Sequence, residues 1–154
     1  MTEIKIGVIA DTHGRLSSQA IAALDGVSQL IHVGDFDNPK ILSEVKTIAP
    51  MRAVRGNMDR GDWSDSLPQS EVVTIGEFSL YVIHNLLDLD LNPKAAGFDA
   101  VIYAHTHTPE VQHRDGVLYL NPGSASFPRS TPLPSVAILT LNNKKLAAKI
   151  IELK

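Results

Sequence analysis

Five apolar runs in this chain end in residues that can bind a cation. The endings are Asp11-Thr12-His13, Gly34-Asp35, Gly56-Asn57, His84-Asn85 and His105-Thr106-His107. Carboxylate oxygen, amide oxygen and imidazole nitrogen are the donors that hold divalent metals when thiolate is absent. Asp11 and His13 are two residues apart, as are His105 and His107, and extended backbone would point each pair to one side. Taken singly these signals are weak. Asp-x-His, Gly-Asp and Gly-Asn are commonly turns, and His-x-His is as often a surface coincidence as a ligand pair. Four of the six histidines at the ends of successive apolar runs make the joint pattern specific.

The elements that must position these residues follow from periodicity. Ile4 to Ala10, Leu30 to Val33 and Met51 to Val54 read as buried strands. Between them, Ser18 to Leu24 and a segment opening at Asn38-Pro39 read as helices, the second carrying Ile41, Leu42, Val45 and Ile48 at helical spacing. Strand, helix, strand, helix, strand predicts right-handed crossovers and a parallel sheet, which gathers the strand endings at one carboxyl edge. The second half reads as Val72 to Ile75 and Phe78 to Ile83 around Gly76-Glu77, then Ala100 to Ala104. Two further hairpins follow, around Asp115-Gly116 and Asn142-Asn143. The expected fold class is α/β, with two packed mixed sheets flanked by helices in a single domain over 1–154. Two polar or proline-rich stretches, Met58 to Ser70 and Pro122 to Pro134, are loops long enough to carry function.

Composition narrows the chemistry. With no cysteine, disulfides, thiolate zinc sites and cysteine nucleophiles are excluded. Lys plus Arg is 14 against 17 Asp plus Glu, a net charge of −3 that gives no support to binding extended nucleic acid. No apolar run reaches the length of a membrane span, and no signal segment opens the chain, so the expected location is cytoplasmic.

Asp11-x-His13, Gly34-Asp35, Gly56-Asn57-x-Asp59, His84 and His105-x-His107, in this order, resemble the calcineurin-like metallophosphoesterase superfamily, and most closely its small YfcE-type phosphodiesterases. The Asn121 to Ser124 segment and Pro128-Arg129 match that pattern too, and the resemblance spans essentially the whole chain. It implies two packed sheets and two divalent transition-metal ions. One ion would be held by Asp11, His13 and His107, the other by Asn57, His84 and His105, with Asp35 bridging. A bridging water, hydroxide near neutral pH, would then attack a phosphate ester, a diester by the same resemblance. Asn57, His84 and Asp59 are the implied catalytic residues. Two aspartates, one amide and four neutral imidazoles leave two such ions with a net charge of about +2, which suits a phosphoryl group. The nitrogen and oxygen donor set favours manganese, iron, cobalt, nickel or zinc over calcium or magnesium without choosing among them, and manganese is the first expectation.

The pattern departs from the family at two places: Asn85 stands where Gly is common, and Ala104 opens the last motif in place of Gly. Among the remaining residues, His32 reads as a buried, hydrogen-bonded histidine with a positioning role as the alternative, and His113 as an exposed hairpin residue. Phe36, Met58, Trp63 and Phe127 are candidates for pocket walls, Trp63 equally for a dimer interface. Arg15 and Arg129 are candidates to meet a substrate phosphate. The expected partner is a small phosphate-ester substrate, with no extended nucleic acid and no membrane; a homodimer or homotetramer is implied by the resemblance. The rival is a binding scaffold on the same fold, such as the retromer subunit, which has lost several ligands; here all seven positions are filled. An alternative enzyme reading is a phosphomonoesterase or nucleotide phosphatase.

Asp59 occupies a slot that is histidine in many larger relatives. An ordinary aspartate, with a pKa of about 3.9, is a poor proton donor at neutral pH. It is therefore expected to orient a neighbouring group. Asp59→Asn should slow hydrolysis of alkyl and aryl esters alike; a loss confined to esters with poor leaving groups would assign it the role of general acid.

Overall fold

The structure is a computed structural model and describes residues 3–154. The first half alternates as the periodicity requires: β1 (Ile4–Ile9), α1 (Ser18–Ala23), β2 (Gln29–His32), α2 (Pro39–Lys46) and β3 (Met51–Ala53). Both helices start on side-chain caps that satisfy otherwise orphaned N–H groups. Ser17 accepts from the Ala20 N–H, and Asn38 accepts from the Ile41 N–H with Pro39 in the first turn. β1, β2 and β3 pair in parallel.

The second half contains β4 (Ser70–Ile75), β5 (Phe78–Ile83), β6 (Ala100–Ile102), β7 (Glu110–Arg114), β8 (Val117–Asn121), β9 (Ser135–Asn142) and β10 (Lys145–Glu152). Two five-stranded mixed sheets result, ordered β10-β9-β1-β2-β3 and β4-β5-β6-β8-β7. The final hairpin thus leaves its sequence neighbours and extends the first sheet, with β9 antiparallel to β1. The turn of that hairpin is Asn143-Lys144, one residue beyond the expected Asn142-Asn143, because Asn142 still pairs with Lys145 and Asn143 takes the left-handed conformation (φ 54°). The Asp115-Gly116 turn lies where expected, left-handed at both central residues, as a two-residue hairpin demands.

Apolar side chains from the two inner faces, including Ile6, Val8, Ile31, Leu80, Ile102 and Leu120, fill the space between the sheets. The opposite face of the first sheet is covered by α1 and α2 through Leu24, Ile41 and Val45. Burial on both faces from Ile6 to Ile9 explains why β1 reads as apolar after Lys5, which is exposed at its start. Both α-helices lie on this side. Over the outer face of the second sheet, Tyr81, Tyr103 and Tyr119 are covered instead by Leu86, Leu89, Leu91 and Phe98 of the segment between β5 and β6. Among the described residues, no helix is long and apolar enough to cross a membrane.

Candidate metal centre

The carboxyl ends of β1, β2, β3, β5 and β6 converge, and their loops are tied to one another by backbone hydrogen bonds. Asp11 N–H donates to Gly34 O (3.0 Å), His13 N–H to Asp35 O (3.0 Å) and Ala104 N–H to His84 O (2.9 Å). The loops are not extended. Asp11, His13, Asp35, Asp37, His105 and His107 all have φ between 47° and 75°. The expectation that extended backbone aligns each Asp-x-His or His-x-His pair is therefore corrected: left-handed bends turn both members inward. Non-glycine residues hold this conformation at a cost of about 1–3 kcal/mol each, and such strain concentrates at functional sites.

Three groups of donor atoms form, each with its atoms within 4.8 Å of one another: Asp11, His13 and His107; Asp35, His84 and His105; and an all-carboxylate group of Asp35, Asp37 and Asp59, so that two of the three combine imidazole with carboxylate. Asn57 joins the second, its Oδ1 lying 3.1 Å from both His84 Nε2 and His105 Nδ1. Asp35 Oδ2 stands 3.3 Å from His84 Nε2 and 3.8 Å from His13 Nε2, so it lies between the clusters. All seven residues singled out from sequence are thus brought together.

Three of the rings are fixed by their second nitrogen. Nδ1–H donates from His84 to Val33 O (2.7 Å), from His107 to Phe127 O (2.6 Å) and from His13 to Asp37 Oδ2 (2.9 Å). In neutral rings this leaves the Nε2 lone pairs of His13 and His107 facing each other at 3.1 Å. Both oxygens of the fully buried Asp11 carboxylate have no hydrogen-bond partner. Acceptors crowded without donors are the arrangement a cation satisfies. The donor set, nitrogen and oxygen with no sulfur, fits a transition-metal ion.

Electrostatics agree. Burial pushes the Asp11 carboxyl up to about 7, against the pull of His84. Burial also raises Asp35, but its hydrogen bond and charge interaction with His84 prevail and hold it below the usual carboxylate range; the same pair raises His84 against its own burial. Burial lowers His105 and His107, keeping them neutral and able to coordinate.

The second half of the site is a set of clamps. Asp59 does not line the cleft: its oxygens accept the backbone N–H groups of Asp35 (2.9 Å), Asp37 (2.9 Å) and Gly56 (2.8 Å). It ties two ligand loops together, as a positioning group would. Gly56 must lack a side chain, since a Cβ would overlap Asp35 Oδ1, and at Gly34 a Cβ would come within 2.6 Å of the Gly56 nitrogen. Ser124 Oγ donates to Asp11 O (2.7 Å), and Asn121 Nδ2 to Thr106 Oγ1 (3.0 Å), which gives the Asn121 to Ser124 segment its structural purpose. His32 is fully buried, held by burial down at about 3, and therefore neutral. Its Nδ1 accepts the Gly34 N–H, so Nε2–H donates to Thr12 Oγ1 (3.1 Å), whose hydroxyl donates to Asp35 O.

A cleft of about 510 Å³ opens over the site, with Met58, Phe127 and Arg129 at its walls. Phe36 and Trp63 are not among them. Phe36 is fully buried and stacks on His32 at 3.5 Å, and Trp63 packs edge-on against Phe36. Arg15 lines a separate recess beside Ser17 and Ser126. Asn85 is extended (φ −111°) and caps a short turn by accepting from the Leu87 N–H, so it needs none of the conformational freedom of glycine. Asp37 was not singled out from sequence; its spacing two residues after Asp35 was the available signal.

The folded value of Asp11 lies above its ordinary 3.8, so in metal-free protein its contribution to stability is fully present below about pH 4 and lost as pH rises through about 7. A bound cation takes the place of that proton. Added Mn²⁺ should therefore raise the melting temperature more at about pH 8 than at about pH 5.5; an equal rise at both would contradict the assignment of Asp11.

Comparison with known proteins gives the family and the fold. A probable metallophosphoesterase of Methanothermobacter thermautotrophicus is 37% identical over 95% of this chain and 91% of its own length. The phosphodiesterase YfcE of Escherichia coli is 23% identical over 96% and 97%. Among solved structures, an archaeal phosphodiesterase superposes with a TM-score of 0.75 at 26% identity, covering 96% of this chain and all of its own. Vacuolar protein sorting 29 of Cryptosporidium parvum gives 0.83 at 25%, covering 99% and 92%. Residues 4–144 match the family model described as the calcineurin-like phosphoesterase superfamily domain, and the chain belongs to that superfamily.

Proposed function

We propose that this chain is a phosphoric ester hydrolase, acting foremost on diesters, with two divalent cations held as the donor clusters suggest. Asp11, His13 and His107 would hold one, Asn57, His84 and His105 the other, with Asp35 shared. The carrying observation is the crowding of unpartnered acceptors: among the described residues, the only buried side-chain polar atoms without a partner are both Asp11 oxygens and Asp37 Oδ1. The names of relatives, metallophosphoesterase and phosphodiesterase, support the reaction class. Manganese is the first candidate metal, and the nitrogen and oxygen donors suit nickel, iron, cobalt or zinc as well. Zinc is one of the alternatives, and a zinc complex has been solved for the Entamoeba histolytica Vps29, which shares the fold.

When bound, the cations supply Lewis-acid polarisation of phosphoryl oxygens and activate water at neutral pH. The chain itself holds the geometry. Asp35 Oδ1 accepts the Met58 N–H (2.8 Å), which leaves Oδ2 turned toward both clusters. Asn57 contributes an oxygen without adding charge, keeping the site cationic toward an anionic ester. Arg129 adds a fixed positive charge at the cleft wall, suited to a phosphoryl oxygen. Asp59, spent on three backbone N–H groups, does not offer a proton to the leaving group, so activated esters should react fastest. The scaffold reading draws on the likeness to Vps29 structures; the filled ligand set favours the enzyme.

Metal-stripped protein should be inactive on an aryl phosphodiester and regain activity with Mn²⁺, Ni²⁺ or Zn²⁺. Asp35→Asn should lower the activity by more than about 100-fold, the upper range seen when only an outer partner of a metal ligand is lost. Failure of every metal to restore turnover, in protein that takes up no cation, would favour the scaffold.

A further inference from the structure

His13 differs from the other two Nδ1-anchored histidines of the site. His84 and His107 each donate Nδ1–H to a neutral backbone carbonyl, whereas His13 donates to a carboxylate, Asp37 Oδ2, at 2.9 Å. The chain takes trouble to place this carboxylate. Asp37 sits in the left-handed conformation (φ 72°), its N–H is held by Asp59, and its second oxygen is buried with no partner. It immediately precedes Asn38, the cap of α2. Among the described residues, His13 is the hydrogen-bond partner of the Asp37 carboxylate, which otherwise stands close to two further carboxylates, those of Asp35 and Asp59.

We infer that Asp37 is a positioning residue that fixes the proton of His13 on Nδ1 and aims an electron-rich Nε2 at the Asp11 and His107 side of the centre. The inference rests on the proposed metal-dependent reading for its purpose, and on the His13 contact for its geometry. A carboxylate behind an imidazole raises the basicity of the ligating nitrogen and locks its tautomer. Its effect is local. The Asp11, His13 and His107 half-site holds a carboxylate of its own and gains a second negative group behind His13. The Asn57, His84 and His105 half-site has only neutral ligands besides the shared Asp35. The first half-site is therefore the tighter of the two and fills first, and Asp37 is part of the reason.

Two readouts test this without turnover. Nitrogen-15 histidine spectra of metal-free protein should show His13 protonated on Nδ1, with Asp37→Ala losing that preference while His84 and His107 keep theirs. In calorimetric titration with Mn²⁺, Asp37→Ala should weaken the tighter of two binding steps by about 10–100-fold and leave the other within about twofold. Asp37→Asn, whose amide oxygen still accepts from Nδ1–H, should fall between. A metal-free wild-type protein with His13 protonated on Nε2, or a tight step unmoved by Asp37→Ala, overturns the inference. If neither protein binds a cation, the proposed function fails, and the metal-free spectrum alone still decides the role of Asp37.

Discussion

The Nε2 atoms of His13 and His107 face each other across 3.1 Å, beside a buried Asp11 carboxylate that receives no hydrogen bond. In a neutral apo site these groups repel, and an isolated carboxylate in such a place costs several kcal/mol unless it is neutralised or paired. Much of the surrounding structure reads as the means of holding them there. Two sheets with a continuous apolar interior form a rigid base. Left-handed bends at six residues turn the donors inward. Asp59, Ser124 and Asn121 bind the loops to one another through hydrogen bonds to backbone or neighbouring side chains. The stability lost to strain and desolvation would be recovered on binding cations as proposed, which would couple loading to stability.

Much of this was legible in the sequence, for a physical reason. A ligand set must keep its donor types, and a parallel sheet must deliver them to one edge, so the order of motifs along the chain carries the site. Strands and helices of the first half were legible because β1 and β2 are buried on both faces and because Ser17 and Asn38 are strong caps. What escaped is non-local or conformational. That the β9–β10 hairpin joins the first sheet depends on pairing between Val8 and Ala137, far apart in sequence. That the ligand loops bend left-handed was hidden because Asp and His, rather than Gly, occupy the positions. The Asp37 contact with His13 likewise joins two loops; the spacing of Asp37 two residues after Asp35 marks the residue but not its partner. Phe36 and Trp63 looked like pocket walls by proximity to a motif, yet burial against His32 claims them for the core beneath it.

The family supplies fold and chemical class, and fold alone would not separate a hydrolase from a scaffold. The separation lies in whether the donors are complete and convergent. Here they converge with lone pairs exposed to one another and with acceptors unpaired, a state that a protein-binding surface would have no reason to maintain. The cleft above has the apolar side chains of Met58 and Phe127 and the charge of Arg129 at its walls.

The most direct measurement is anomalous scattering from crystals equilibrated with Mn²⁺. The account requires two peaks roughly 3.5–4 Å apart, one against Asp11 and His107, the other against Asn57 and His84, with the Asp35 carboxylate between them. A single peak, or peaks only on the outer surface while His13 and His107 remain face to face, would contradict it.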